Sequence, residues 1–386
     1  MLDAMFVQAC EDAAARFEIP ALVVGVCSAD GVTELHAIGC EPDTRFLIAS
    51  VTKPMTATLA ARLLDLDAVT GVWPDDVRVR HLLSHTSGFA GEYGDLGRFG
   101  DGDDALDRLV ADLPAVHRLV GVDEVWSYAN TGYWIAGRLA AEAAGSTFEE
   151  AFRTHVLGPA GMASAGFDQP ELAGTGRLAR AEPYPRARRP SGGLVADVTD
   201  ILRFGRWQLA EQWTAALRRP VAKPVSGVYG YGFFGERVGG VDVWGHPGSA
   251  WGFQSNLLLV PDRGEVFAGL TNSDIGSRAL AEIEDLWFER VVGARRALAA
   301  TVALPSAVLE RFAGTYGNDD MTVTVEPDGD RLAGQMTAQN ESVAVVARAI
   351  GERRFEVVGG LYDRQRFDFP LEHFIRVGST LLERVA

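Results

Sequence analysis

What the chain lacks narrows its class before any motif is read. No apolar run approaches the roughly 18 residues of a membrane-spanning helix. The amino-terminal residues show no basic stretch followed by an apolar one, so the expected location is cytoplasmic and no membrane partner is expected. Three cysteines, Cys10, Cys27 and Cys40, form an odd set without metal-ligand spacing; they suit a reducing compartment and read as small core residues. Excess positive charge is missing too. Thirty-six basic against 52 acidic residues leave a net charge of −16, the wrong sign for a nucleic-acid partner. No Gly-x-Ser-x-Gly elbow is present, which disfavours an α/β-hydrolase triad. His81 and His85 have the i, i+4 spacing of a zinc site but lack the glutamate of His-Glu-x-x-His, so helix ending and loop packing are the expected roles; neither metal nor cofactor is expected.

What is present suits a soluble globular chain: 386 residues, 47% hydrophobic and 23% charged, enough for one large domain and a smaller one. Residues 2–17 read as an amphipathic helix, followed by strands at 21–27 and 33–38 around an Asp30-Gly31 turn. From about residue 67 to 225 the periodicity is helical with long loops. Strands return at 229–237, 241–244, 253–260 and 266–271, before a closing helix at 279–292. Strands at both ends of a helical middle predict an α/β domain over residues 1–295, an antiparallel sheet flanked by helices with an all-helical insertion facing it. Residues 294–305 read as a linker. Beyond it, β patterns at 321–330, 354–358, 366–369 and 373–377, with Gly378 and Ser379 as a hairpin turn, predict a small antiparallel barrel or sandwich over 306–386.

Two loops stand out. Residues 91–107, rich in Gly and Asp, read as an exposed loop that borders a cleft or merely connects. Residues 177–189 carry five arginines and one glutamate, a solvated surface by default and otherwise an attractor of an anionic substrate group. Asp197 and Thr199 are both candidate caps for the helix after Ser191-Gly-Gly.

The chemistry centres on Phe46-Leu-Ile-Ala-Ser50-Val-Thr-Lys53-Pro-Met. Ser50 and Lys53 are three residues apart, about 5–6 Å between Cβ atoms on one helical face, so the amine can take the hydroxyl proton. Pro54 belongs in a first turn, which starts the helix near Ser50, with Met55, Leu59, Leu63 and Leu66 as its buried stripe and the hydroxyl at the positive end of its dipole. Such a pair arises by chance in most long chains. Tyr128-Ala-Asn130 adds a phenol able to share a proton with Lys53 and an amide able to hold a substrate carbonyl or the lysine. His246-Pro-Gly248-Ser249, between predicted strands, adds a glycine for close approach and a strand-edge N–H for an oxyanion.

With these three segments in this order, the chain resembles the serine β-lactamase and penicillin-binding protein superfamily over about residues 5–290. The resemblance is to its class C-like branch, which includes family VIII carboxylesterases, D-stereospecific peptidases and amidases, and natural-product acyltransferases. Ser50-Val-Thr-Lys53, Tyr128-Ala-Asn130 and His246-Pro-Gly248 are similar to its three motifs; residues 81–88, 130–133, 191–194 and 270–272 are similar to connecting segments. The resemblance implies an acyl-enzyme on Ser50, proton exchange between Lys53 and Tyr128, and an oxyanion hole from the N–H groups of Ser50 and Ser249. It also implies that the segment from about Phe312 is a lipocalin-like barrel. His246 stands where the strict β-lactamases have lysine; largely neutral at pH 7, it is a weaker anchor for a carboxylate. The expected function is therefore a serine hydrolase of a small ester or amide rather than of β-lactams. The alternative is an ATP-independent acyltransferase with an amine or alcohol acceptor, working in natural-product biosynthesis.

Overall fold

The structure, a computed structural model, describes residues 2–385 apart from 32, 72–75, 92–95, 114–117, 319–320, 339–340 and 361–362. Part of the predicted 91–107 loop thus lies outside the described residues. The sheet is built from β1 (Leu22–Cys27), β2 (Thr33–Ile38), β5 (Val228–Tyr229), β6 (Phe234–Val238), β7 (Val241–Ala250), β8 (Phe253–Val260) and β9 (Glu265–Thr271), while β3 (Phe46–Leu47) and β4 (Val195–Ala196) form a separate pair. Its order is β2-β1-β9-β8-β7-β6-β5, antiparallel throughout, so the two ends of the domain meet at the β1–β9 seam.

Alternation explains why β1 is apolar at nearly every position. Leu22, Val24 and Val26 enter one core with Phe6, Cys10, Ile283 and Trp287, which come from the helices Ala4–Arg16 and Gly276–Val291. Val23 and Cys27 enter the opposite core with Met55, Leu59, Ile201 and Phe204. A sheet covered on both faces loses the polar alternation of a half-exposed one.

The helix Thr52–Leu63 lies between that second core and a third, helical one around Leu82, Leu109, Tyr133 and Trp134. Its first nine residues are buried on every side, Thr56 and Thr58 as fully as Met55. This corrects the single-stripe reading: Leu63 and Leu66 are only half-buried, because the helix is central rather than superficial. The strand expected over 229–237 is also interrupted. Gly232, at φ +84°, packs where an added Cβ would lie 2.8 Å from Ala57 Cβ and 3.1 Å from the Lys53 carbonyl, so the chain leaves the sheet to pass the helix.

Beyond the segment 294–305, eight strands among the described residues close a barrel: β10 (Gly314–Gly317), β11 (Met321–Asp328), β12 (Arg331–Ala338), β13 (Glu341–Ala349), β14 (Arg354–Val357), β15 (Arg366–Leu371), β16 (Phe374–Val377) and β17 (Thr380–Arg384). Its core is packed with aromatic rings, Phe312 stacked on Phe369 at 4.4 Å between centroids and Phe355 on Phe367 at 5.4 Å. The connecting segment is tied down: Arg296 bonds Glu236 and Glu284, each at 2.9 Å, and the Val302 N–H donates to the Ala349 carbonyl. No helix among the described residues is long and apolar enough to cross a membrane.

Candidate active site

Ser50 sits in a 3-10 turn, Ala49–Val51, one turn ahead of the helix Thr52–Leu63, slightly later than the expected helix start. Ala49 is held at φ +47°, a left-handed conformation that a non-glycine residue seldom adopts and that marks the turn as constrained. Lys53 Nζ lies 3.0 Å from Ser50 Oγ and donates to the Ser191 carbonyl at 2.6 Å. The lysine is fully buried. Two threonines explain how the segment carrying Ser191 reaches it. Thr52 Oγ1 donates to the Ala49 carbonyl and accepts from the Leu194 N–H, while Thr56 Oγ1 donates to the Pro190 carbonyl at 2.7 Å.

Tyr128 lies over the lysine, its ring centroid 4.8 Å from Nζ. Tyr133 is also close, at 5.5 Å, but its hydroxyl donates to the Leu83 carbonyl and burial pushes its phenol above the usual range. Tyr128 is only half-buried and faces the cavity, with Asn130 at the first turn of the helix Asn130–Ala144. His85 packs against Tyr128 at 4.2 Å between ring centroids. Its Nδ1 accepts from the Ala129 N–H at 3.0 Å, so His85 braces this loop. His81 likewise accepts from the Arg78 N–H and pairs with Asp123 at 3.2 Å.

The third motif lies within β7, not between strands as expected. β6 pairs with β7 only from Val241 to Gly245, whereas β8 pairs with it to Ala250, so His246, Gly248 and Ser249 occupy a one-sided edge next to Ser50. A Cβ on Gly248 would lie 2.2 Å from Ser255 Oγ, 2.3 Å from the Ile48 carbonyl and 3.2 Å from Ser50 N, so only glycine permits this approach. His246 is buried, with Nδ1 2.6 Å from the Pro247 carbonyl. A carbonyl can only accept, so Nδ1 carries the proton and Nε2 keeps its lone pair. Burial, then the neighbouring Lys53 cation, pushes the imidazole down to about 3, which leaves it neutral.

Ser50, Tyr128, Asn130, His246, Gly248 and Ser249 line one cavity of about 940 Å³, with Lys53 directly behind Ser50. The arginine loop does not present five unpaired cations to it. Arg177 pairs with Glu341 of the barrel, Arg186 and Arg189 with Glu149, and Arg188 lies 5.6 Å over the Tyr184 ring. Of the two candidate caps, Asp197 caps Val198–Ala210, accepting from the Asp200 N–H. Sequence reasoning missed the far wall, which the barrel supplies through Met321, Thr322, Thr337, Ser379, Thr380 and Leu381. It also missed the Ser191 carbonyl, a backbone group whose position no side-chain pattern records.

The family model described as Beta-lactamase matches residues 7–290. Penicillin-binding protein 4 of Amycolatopsis lactamdurans is 29% identical over 326 residues, covering 71% of this chain and 84% of that protein. Among solved structures, SurE with D-Leu superposes with a TM-score of 0.79 at 24% identity over 99% of both chains, the barrel included. The D-amino acid amidase of Ochrobactrum anthropi SV3 gives a TM-score of 0.64 at 22% identity, over 74% of this chain and all of its own. At these identities both structures speak to the fold.

Proposed function

The chain belongs to the beta-lactamase family, and on that premise we propose that it is a serine hydrolase that takes the acyl group of an ester or amide onto Ser50. The observation that carries this reading is the 3.0 Å contact between Ser50 Oγ and a fully buried Lys53 Nζ at the edge of the cavity. Lys53, once it has shed the proton it carries as a cation, accepts the hydroxyl proton as Oγ attacks the carbonyl carbon. The N–H groups of Ser50 and Ser249 receive the developing oxyanion, and the Asn130 amide orients the acyl group. Tyr128 passes the proton to the leaving alcohol or amine as the C–O or C–N bond breaks. Water then adds to the acyl-enzyme with the same groups in reverse order, releasing the acid and restoring Ser50. His246, neutral and buried behind the cavity wall, supplies no cation there, which supports an uncharged ester or amide over a carboxylate-bearing β-lactam.

Acyl transfer to an amine or alcohol is the second reading, favoured by the barrel residues on the far wall of a cavity of about 940 Å³, which leaves room for an acceptor. The names of the amidase and of the D-Leu complex make a D-configured acyl residue the first donor to try. The test is labelling by a fluorophosphonate probe together with turnover of a D-aminoacyl ester, with and without an added amine, followed by mass spectrometry. Labelling lost in Ser50→Ala, with a fall in turnover of at least about 10³-fold, is the expected result. Free acid in both reactions means hydrolase, amide in the second means transferase, and persistent labelling of Ser50→Ala sinks the nucleophile.

A further inference from the structure

Four consecutive backbone N–H groups hold the loop that carries Tyr128. Ser127 N–H donates to the His85 carbonyl at 2.9 Å, Ala129 N–H to His85 Nδ1 at 3.0 Å, and Asn130 N–H to the Gly91 carbonyl at 3.0 Å. Those three acceptors belong to the catalytic domain. The fourth does not. The N–H of Tyr128 itself donates to the carbonyl of Ser379, at 3.2 Å, in the hairpin turn between β16 and β17 of the barrel. Gly378, at φ +58°, makes that two-residue turn possible and leaves the next carbonyl available.

Beside this contact lies an ion pair that surface solubility does not require. Arg376 on β16 is 4% exposed and Asp368 on β15 is 8% exposed. The guanidinium grips the carboxylate through Nε at 2.9 Å and Nη2 at 2.6 Å. Its remaining nitrogen, Nη1, crosses to the catalytic domain and donates to the Trp126 carbonyl at 2.8 Å and the Lys223 carbonyl at 3.2 Å. Trp126 is two residues before Tyr128, and its indole lies 5.7 Å under the guanidinium. One side chain therefore fixes the loop to the same hairpin that accepts the Tyr128 N–H.

We infer that Arg376 is a positioning residue for acyl transfer: it clamps Trp126 to the barrel so that the Ser379 carbonyl can hold Tyr128 over Lys53. The inference rests on the reading of Tyr128 as the proton relay. A proton relay tolerates little displacement, since a shift of about 1 Å can cost on the order of 10²-fold in rate. The fork geometry is what only arginine supplies. A lysine at 376 keeps the charge but, as a point donor, cannot hold both carboxylate oxygens and the Trp126 carbonyl.

The test uses the full chain and two independent readouts: the second-order rate of Ser50 labelling by a small fluorophosphonate, and kcat and KM for p-nitrophenyl acetate. Both probes are too small to need the barrel wall for binding. Arg376→Lys is expected to slow labelling and kcat by about 10- to 100-fold, to change KM by less than about threefold, and to shift the pH profile of kcat. Asp368→Asn should lose rate in the same direction. Arg366→Ala, which removes the contact at 3.1 Å to Ser226 Oγ and one of the two arginine partners of Glu356 while Arg348 still pairs with that carboxylate, should remain within about twofold of wild type at temperatures where it is folded. Thermal midpoints are measured for all three. A folded Arg376→Lys that labels at the wild-type rate overturns the inference, and so does an equal loss in Arg366→Ala, which would make Arg376 a mere attachment. Should Arg376→Lys fail to fold, Asp368→Asn is judged by the same criteria. A wild type that is not labelled at Ser50 instead overturns the proposed function, whatever Arg376 does.

Discussion

Lys53 is one of only two lysines in the chain, the other being Lys223, although Lys and Arg together number 36. With 34 of the 36 basic residues arginine, a lysine fully buried 3.0 Å from Ser50 Oγ stands out, and it suits the proton transfer proposed for it, which arginine cannot perform. That contrast is legible from composition and strengthens the Ser-x-x-Lys spacing independently of any motif. His246 was legible as a neutral residue, but the strength of its neutrality depends on burial and on Lys53, which only the fold supplies. The linkage sign follows. Above the ordinary value of 6.5 His246 is neutral folded or unfolded, while below it the unfolded chain binds a proton that the folded chain refuses until about pH 3. Stability is therefore full above pH 6.5 and falls as the pH drops, by up to about 1.4 kcal/mol per pH unit for this one group. His85, depressed first by burial and then by Lys53, acts in the same direction. Urea midpoints between pH 7.5 and 5 should fall less steeply in His246→Asn than in wild type, and parallel curves would count against the buried neutral imidazole.

At the level of elements, sequence periodicity found the sheet strands and the helix after Ser50, with errors at the places where function bends the chain. Alternation ended β7 at Trp244 because His, Pro and Gly are poor strand formers, yet the strand runs on to Ala250. Pro247 is tolerated there because β6 has already stopped at Gly245, so that edge of the ladder asks for no N–H. The same one-sidedness turns the edge towards Ser50. The interruption at Gly232 and the 3-10 turn at Ser50 have the same origin, close approach of backbone to backbone, which leaves no hydrophobic period to read. Gly248→Ala tests the approach. Its methyl group would have to displace Ser255 Oγ from 2.2 Å or the Ile48 carbonyl from 2.3 Å, and Ser255 Oγ bonds that same carbonyl at 2.6 Å. Overpacking of this kind costs about 1–3 kcal/mol, and here part of it would appear as displacement of the Ser50 turn. A loss of labelling rate of at least about tenfold is expected, with a modest fall in thermal midpoint; wild-type labelling would show that the turn yields without consequence.

For the whole molecule, the barrel is where the sequence was least informative. Strands followed by clear turn signals were found, but β10, β12, β13 and β17 were not. Stretches such as Ala333, Gly334, Ala344 and Ala347 carry too little apolar contrast to show alternation, and closure depends on pairings between distant residues. Docking was wholly invisible, because its contacts join segments far apart in the chain, 140 residues between Ser226 and Arg366 and 250 between Trp126 and Arg376. At that junction Val120 and Val125 of the catalytic domain pack with Leu381 of β17, supported by Leu371 and Phe374, and Leu381 also lines the cavity. Two units that share a buried apolar patch, the bonds from Arg376 to the Trp126 and Lys223 carbonyls and the backbone bond from Tyr128 to Ser379 should unfold together. Leu381, 3% exposed, is the residue at which to separate them. An aspartate there would place an unpaired carboxylate in the patch, at a cost of several kcal/mol, comparable to the stability of a small domain. Calorimetry of the wild type should give one transition, and Leu381→Asp should lower it and split off the barrel. If the barrel steadies Tyr128, the same variant must also label more slowly at temperatures where the catalytic domain remains folded; a split transition with undiminished labelling would leave the barrel as a passive wall of the cleft.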